Sequence, residues 1–489
     1  MTINSIDFLF FFSVVFFLYY FPLKEKTRAQ NVLLLLASYV FYGIANWKMI
    51  PLLLLATGAF YGLGILIGKS NEANPKRAHL LTTLGVCLGI GFLLYFKYLN
   101  FFITSFSDLF STIGLHTNWS TFTIIMPVGI SFFTFKLISY VLEIYRQRME
   151  PVTDVVAFTA YAAFFPTMLA GPIDRPNTFI PQLQAKRTFN YNLMVDGCRQ
   201  ILWGMFKKMV LADNCAEVVD YTWERIPVTS GSMLMIKALL YSIQLYADFS
   251  GYSDMAIGVG KLLGFRIAKN FNFPFKGKNI AEYWGNWHIS LTSWLTDYVF
   301  MPLNIKFRDL GKSGIIFAIV INFVLVGLWH GANWTFVVFG LYHGLLYIPL
   351  ILTGSFNRKN KTKAVKNGFS DLKNIGSMIL TFILVSLGNI IFRADSIGQA
   401  WDYIHRIFSP SILTLPAIEW SRRNLWNTVC LLLSFPPYIY MEWIANKKEE
   451  YGFKNIAGNK ILRWTIYIIL ILMILMIGGK QKEFIYFQF

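Results

Sequence analysis

I-I-F-A-I-V-I-N-F-V-L-V-G-L-W-H-G-A-N-W, running from Ile315 to Trp334, decides how the rest of the chain is read. As far as Trp329 its only side chain capable of strong hydrogen bonding is Asn322, and beyond Trp334 the run Thr335 to Leu352 is almost as apolar. The 15 residues Ile315 to Trp329 make a helix of ~22 Å at ~1.5 Å per residue, short of a ~30 Å hydrocarbon core. Gly331, Ala332 and Asn333 then break the helix, and irregular backbone at membrane depth is tolerated only where it is buried in protein or lines a water-filled cavity. The expectation is a hairpin with both ends cytoplasmic and His330 at its tip, buried toward the outer leaflet. An ionisable residue so placed is a functional candidate by default. The competing account is a structural histidine bonded to a carbonyl in a tight turn between Trp329 and Trp334.

The rest of the chain has the same character. Of its 489 residues 55% are hydrophobic, 17% aromatic and only 14% charged, and the mean hydropathy is +0.49, which excludes an ordinary soluble domain. Apolar runs recur from Phe8 to Tyr20 through to Leu462 to Ile477, several of them shorter than the ~20 residues a spanning helix needs. The fold class expected is all-α: a polytopic integral membrane helical bundle of roughly 11–14 membrane helices, re-entrant ones included. With no long linker, repeat or low-complexity tract, residues 1–489 read as a single integral membrane domain.

The net charge of +18 lies in short blocks between apolar runs, not along one stripe, so it reads as membrane orientation and not as nucleic-acid binding. Basic residues in Ser355 to Asn374 and Lys447 to Arg463 mark cytoplasmic loops, which leaves both termini extracytoplasmic. Cys87, Cys198, Cys215 and Cys430 are scattered, with no C-x-x-C and no histidine at ligand spacing, so neither a disulfide framework nor a metal site is expected. Gly258-Val-Gly260-Lys-Leu-Leu-Gly264 follows an apolar helix instead of a strand, and close helix packing explains it better than a phosphate loop.

A second histidine stands in a patterned stretch. On one helix Trp284, Trp287, His288, Leu291, Trp294, Leu295 and Tyr298 share a face at i, i+3, i+4, i+7 spacing. His288 is then the ionisable group on an aromatic face, either lining a polar cavity or serving a Trp-rich interfacial anchor. His343, flanked by apolar turns, reads as packing.

Taken together, W-G-N-W-H-I-S-L-T-S-W-L (Trp284 to Leu295) and G-L-W-H-G-A-N-W (Gly327 to Trp334) resemble the paired histidine motifs of the membrane-bound O-acyltransferases. M-P-V-G-I-S-F-F-T-F (Met126 to Phe135), F-F-P-T-M-L-A-G-P-I (Phe164 to Ile173) and D-F-S-G-Y-S-D-M-A-I-G (Asp248 to Gly258) extend the likeness over most of the chain. It is similar above all to the bacterial alginate and peptidoglycan O-acetyltransferase branch. The resemblance implies His330 as the catalytic histidine and His288 as the second motif residue. It also implies acetyl-CoA as a cytoplasmic acyl donor with no permanently bound cofactor. The acceptor implied is a hydroxyl of an extracytoplasmic polysaccharide or of a carrier protein, with a separate extracytoplasmic acetyltransferase as partner, in a bacterial inner membrane. D-alanyl transfer to teichoic acid, and a transporter or channel for a small solute or lipid-linked sugar, are the alternatives.

The chain closes on F-I-Y-F-Q-F (Phe484 to Phe489). After the last apolar run, two glycines lead to Tyr486 set among aromatic neighbours. Such a tail can fold back into the outer mouth of the cavity, where the Tyr486 phenol is a candidate acyl carrier; the competing account is a tail that only docks by aromatic packing or recruits a partner.

Overall fold

A computed structural model describes residues 1–115, 119–357, 372–416, 422–445 and 459–487. His116, most of the basic loop Ser355 to Asn374, most of Lys447 to Arg463 and the last two residues lie outside these ranges. All regular structure among the described residues is helical. Among the described residues six segments are long and apolar enough to cross a membrane: Thr27–Ala73, Pro75–Thr112, Arg308–His330, Trp334–Leu352, Leu372–Arg393 and Lys460–Ile477. The first comprises two helices, Thr27–Asn46 and Ile50–Ala73, and Ile6–Tyr20 and Val155–Met168 are shorter apolar helical stretches. The protein is therefore a multi-pass membrane protein. Its chain packs into two units, one of Met1–Ile201 with Tyr252–Ala268, the other of Leu202–Gly251 with Lys269–Phe489.

In the first unit the helix Ile130–Tyr145 is buried along nearly its whole length. Glycines let it approach its neighbours: a Cβ at Gly89 would come 2.7 Å from the Ile138 side chain, and one at Gly64 would overlap the Tyr140 ring. Gly129, just before this helix, sits at φ +72°, and a Cβ there would lie 2.5 Å from the Met168 carbonyl oxygen, so both its conformation and its space demand glycine. Gly197 and Gly258 each occupy the space a Cβ on the other would need. The Gly258 stretch is thus a helix contact, as its position after an apolar helix predicts.

The second unit holds the hairpin. Its first helix, Gly311–His330, has 20 residues and covers ~30 Å, which corrects the expectation of a helix ending part-way. Hydropathy missed the first turn because Lys312 and Ser313 are polar; the Lys312 ammonium reaches the Leu352 carbonyl at 2.8 Å. The break falls where the sequence puts it. Gly331 is extended, and Asn333 caps the returning helix Trp334–Leu345 by accepting a hydrogen bond from the Thr335 amide at 3.1 Å, the usual role of a short polar side chain at that position. The two helices meet through glycine, since a Cβ at Gly327 or Gly340 would overlap the carbonyl oxygen of Phe336 or Phe323. Gly340→Ala should accordingly lower stability by about 1–3 kcal/mol, the usual penalty of overpacking. Gly376→Ala, facing open space, should be neutral or slightly stabilising. Thermal melts in detergent will separate the two.

The apolar stretches Met233 to Ala247 and Tyr252 to Gly264, parted in the sequence by Asp248-Phe249-Ser250-Gly251, lie along one helix, Gly231–Leu262, of 32 residues. Asp248-Phe249-Ser250-Gly251 therefore lies within a helix and not in a loop. Gly251 admits close backbone, for a Cβ there would stand 2.8 Å from the Gly204 carbonyl oxygen and 2.9 Å from the Lys208 amide.

Candidate active site

The stretch around His288 is not the continuous helix its periodicity predicts. A short helix Ile280–Trp284 stops, and a second, Ile289–Leu295, begins after His288. His288 itself sits at φ +46°, ψ +50°, in the left-handed region. For a residue other than glycine that conformation costs of the order of 1–3 kcal/mol and persists only where the surroundings hold it. They do so here through neighbouring backbone. The Ile289 amide donates to the Asn270 carbonyl at 2.8 Å and the Asn272 amide to the Asn286 carbonyl at 3.0 Å. The Ser290 hydroxyl adds a bond to Asn270 Oδ1 at 2.6 Å, while the His288 carbonyl accepts from the Leu291 and Thr292 amides at 3.0 Å each.

The predicted face nonetheless survives the break: Trp284, Trp287, His288, Leu291, Trp294 and Leu295 are all buried. His288 is fully buried, and neither of its ring nitrogens has a hydrogen-bond partner among the described residues. Buried polar atoms are rarely left so. The ring packs edge-on against Phe249, with centroids 4.6 Å apart, and against Trp329 at 5.4 Å.

His330 ends the helix Gly311–His330 and is also buried. Trp329 and Phe392 flank it at 5.1 Å each, both edge-on. The two imidazoles stand 6.3 Å apart, centroid to centroid. The carboxyl-terminal tail completes a triangle with them. Tyr486 is half-buried, its ring 5.4 Å from His330, 6.1 Å from His288 and 4.3 Å from Phe249. All three residues singled out in the sequence thus converge, although they are far apart along the chain.

Sequence reasoning missed Phe392, which flanks His330, and Phe249, which packs on both His288 and Tyr486; the only signal for Phe249 was membership of the D-F-S-G stretch, which carried no role. His343 belongs to the packing of the hairpin. Trp284 Nε1 donates to its Nδ1 at 3.3 Å, and Gly388 leaves room for the other edge of the ring.

Burial pushes the His288 imidazole down to about 3, from an ordinary value near 6.5. The ring is therefore neutral at physiological pH, in the form that accepts a proton. As pH falls below ~6.5 the unfolded chain takes up a proton that the folded one refuses, so stability is complete above that value and declines from there toward pH 3. Between pH 7.5 and 5.5 the wild type should lose about 1.4 kcal/mol more than His288→Phe, measured as the difference in unfolding free energy at each pH. Parallel loss in the two proteins would mean that the folded ring takes up its proton as readily as the unfolded one.

A broken hairpin with His330 at its break, and His288 held in strained backbone beside it, bring two imidazoles together in a buried, aromatic site. Comparison with known proteins gives the class of protein that holds them. The family model described as "MBOAT, membrane-bound O-acyltransferase family" matches residues 151–387. A probable alginate O-acetylase of Azotobacter vinelandii is 35% identical over 440 residues, 89% of this chain and 83% of the relative. The peptidoglycan O-acetyltransferase of Helicobacter pylori is 32% identical over 427 residues, 81% of this chain and 78% of that one. A teichoic acid D-alanyltransferase of Streptococcus thermophilus is 30% identical over 286 residues, 54% of this chain and 68% of that one. The chain belongs to the membrane-bound O-acyltransferase family and is an acyltransferase.

Proposed function

We propose that this acyltransferase moves an acetyl group from cytoplasmic acetyl-CoA across a bacterial inner membrane to a hydroxyl on the far side. The observation that carries the reading is the convergence of His330, His288 and Tyr486 within 5.4–6.3 Å of one another, ring to ring. A hydroxyl is a poor nucleophile at neutral pH and needs a base within reach. In the reaction, an imidazole nitrogen of His330 takes the hydroxyl proton as the oxygen attacks the thioester carbonyl. The tetrahedral intermediate then collapses, the carbon–sulfur bond breaks, and the imidazolium returns the proton to the departing thiolate. The products are an ester and free CoA. His288, neutral and buried, orients the thioester or its leaving group.

The Tyr486 phenol is the first acceptor in this reading. The aryl ester it forms is activated, so a second attack, by a polysaccharide hydroxyl or by a hydroxyl of an extracytoplasmic partner transferase, releases the phenol and passes the acetyl group on. Two kinds of relative favour acetyl transfer to an envelope glycan, since they are named for alginate and for peptidoglycan O-acetylation. The charge of the loops favours termini on the far side of the membrane from the donor.

The test uses the full-length protein in vesicles, with acetyl-CoA supplied on one side and a glycan acceptor on the other. Free CoA appearing together with acetylated glycan is the expected result. Movement of solute without thioester consumption would establish a transporter, and preference for a D-alanyl thioester would make the teichoic acid reaction the right one.

A further inference from the structure

The tail that delivers Tyr486 is held almost entirely by its backbone, and the groups that hold it play no part in the chemistry above. After the helix Lys460–Ile477, Asn214 Nδ2 donates to the Ile477 carbonyl at 2.8 Å and the Gly479 amide donates to the Met209 carbonyl at 2.8 Å. Gly479 runs so close to the helix Asp213–Val219 that a Cβ on it would lie 2.7 Å from the Asp213 carbonyl carbon. Further along, the Lys208 ammonium donates to the Lys482 carbonyl at 3.0 Å, and the Ile485 amide donates to Asp248 Oδ2 at 2.8 Å. Two ion pairs of the Lys482 ammonium supplement these, 3.5 Å from Asp220 and 3.9 Å from Glu217.

Lys208 and Asp248 are joined to each other as well. The Lys208 ammonium stands 2.7 Å from Asp248 Oδ1 and 2.9 Å from Asp213 Oδ1. It thus hydrogen-bonds Asp213 on the helix Asp213–Val219 and the tail itself, and is ion-paired with Asp248 on the helix Gly231–Leu262. Asp248 in turn faces the Lys208 charge with Oδ1 and accepts the tail's Ile485 amide on Oδ2. All three side chains are buried, and Lys208 lies in a π-helical stretch, Phe206–Ala212, of the kind that often marks functional sites. Asp248 is followed by Phe249, against which the Tyr486 ring packs.

We propose that Lys208 and Asp248 are positioning residues that clasp the backbone of the tail and so seat the Tyr486 ring beside the two imidazoles. The clasp as a tether stands on its geometry; its effect on acyl transfer rests on the reading of Tyr486 as acceptor.

Two substitutions in the full-length protein in lipid nanodiscs test it. Asp248→Asn keeps the shape of the side chain but replaces one acceptor oxygen with a donor NH2, so it can satisfy Lys208 or the Ile485 amide and not both. Ile485→Pro removes the amide from the tail side, at the first position of the short turn Ile485–Phe487, where proline's φ is suited. Amide hydrogen exchange is expected to rise at least tenfold at Lys482 and Tyr486 in both variants, with Gly311–His330 unchanged. Acyl transfer is expected to fall at least tenfold, through kcat more than through KM for the thioester. If the tail stays protected in both variants, the clasp is overturned whatever the transfer rate, and the reading of Tyr486 is untouched. If the tail is released while transfer keeps its wild-type rate, the positioning role is overturned, and the acceptor role of Tyr486 falls with it.

Discussion

His330→Ala is expected to lower acetyl transfer by 10²- to 10⁴-fold, the contribution a positioned general base usually makes. That corresponds to about 3–5 kcal/mol of barrier. The loss should appear in kcat, because the ring acts on the proton of the attacking hydroxyl and not on the bulk of the donor. The protein should still fold. His330 is the last residue of its helix, and the break after it is set by Gly331 and by the Asn333 cap, neither of which the substitution touches. Trp329 and Phe392 would line the vacated space, and melting should register a loss of apolar contact without collapse of the hairpin. Single-turnover consumption of acetyl-CoA with a saturating acceptor gives the readout. Wild-type consumption by a folded His330→Ala protein would leave no role for the imidazole as base.

The sequence made this histidine legible because its surroundings are so uniform. Asn322 is the one strongly polar side chain in the fifteen residues before it, and the three residues after it cannot continue a helix. The length of the helix was less legible. Hydropathy reports which side chains prefer lipid, whereas helix length is set by backbone hydrogen bonds, and a lysine whose head snorkels to a carbonyl can sit in the first turn. The break at His288 was marked only by Gly285, which ends the first helix, and Asn286, and the spacing of the buried face masked them. Left-handed backbone is usually signalled by glycine or asparagine, and here it falls on the histidine itself, one residue after Trp287, while the buried face keeps its helical spacing across the gap. Phe249 and Asp248 show a further limit. Their part depends on contacts with residues more than 200 positions away, and no local pattern carries that information.

Tyr486→Phe is expected to abolish transfer to the glycan, by at least 100-fold, while leaving the tail in its seat. The substitution removes one oxygen. The ring contacts with Phe249 at 4.3 Å and Phe484 at 5.5 Å remain available, and the amide of Ile485 still reaches Asp248, so protection of the tail against hydrogen exchange should equal that of the wild type. Burial holds the phenol well above its ordinary pKa, so the group is protonated at neutral pH and cannot attack a thioester unaided. It needs a base at hand, and the nearest imidazole to its ring is His330. In the wild type, acid quenching during turnover followed by proteolysis should yield a carboxyl-terminal peptide carrying one acetyl group, removable by hydroxylamine as an aryl ester is. His330→Ala should lack that label because the first transfer fails, whereas blocking only the final acceptor should make it accumulate. Full glycan acetylation by Tyr486→Phe would mean that the glycan or partner hydroxyl attacks the thioester directly, with the aromatic tail serving only to close the site.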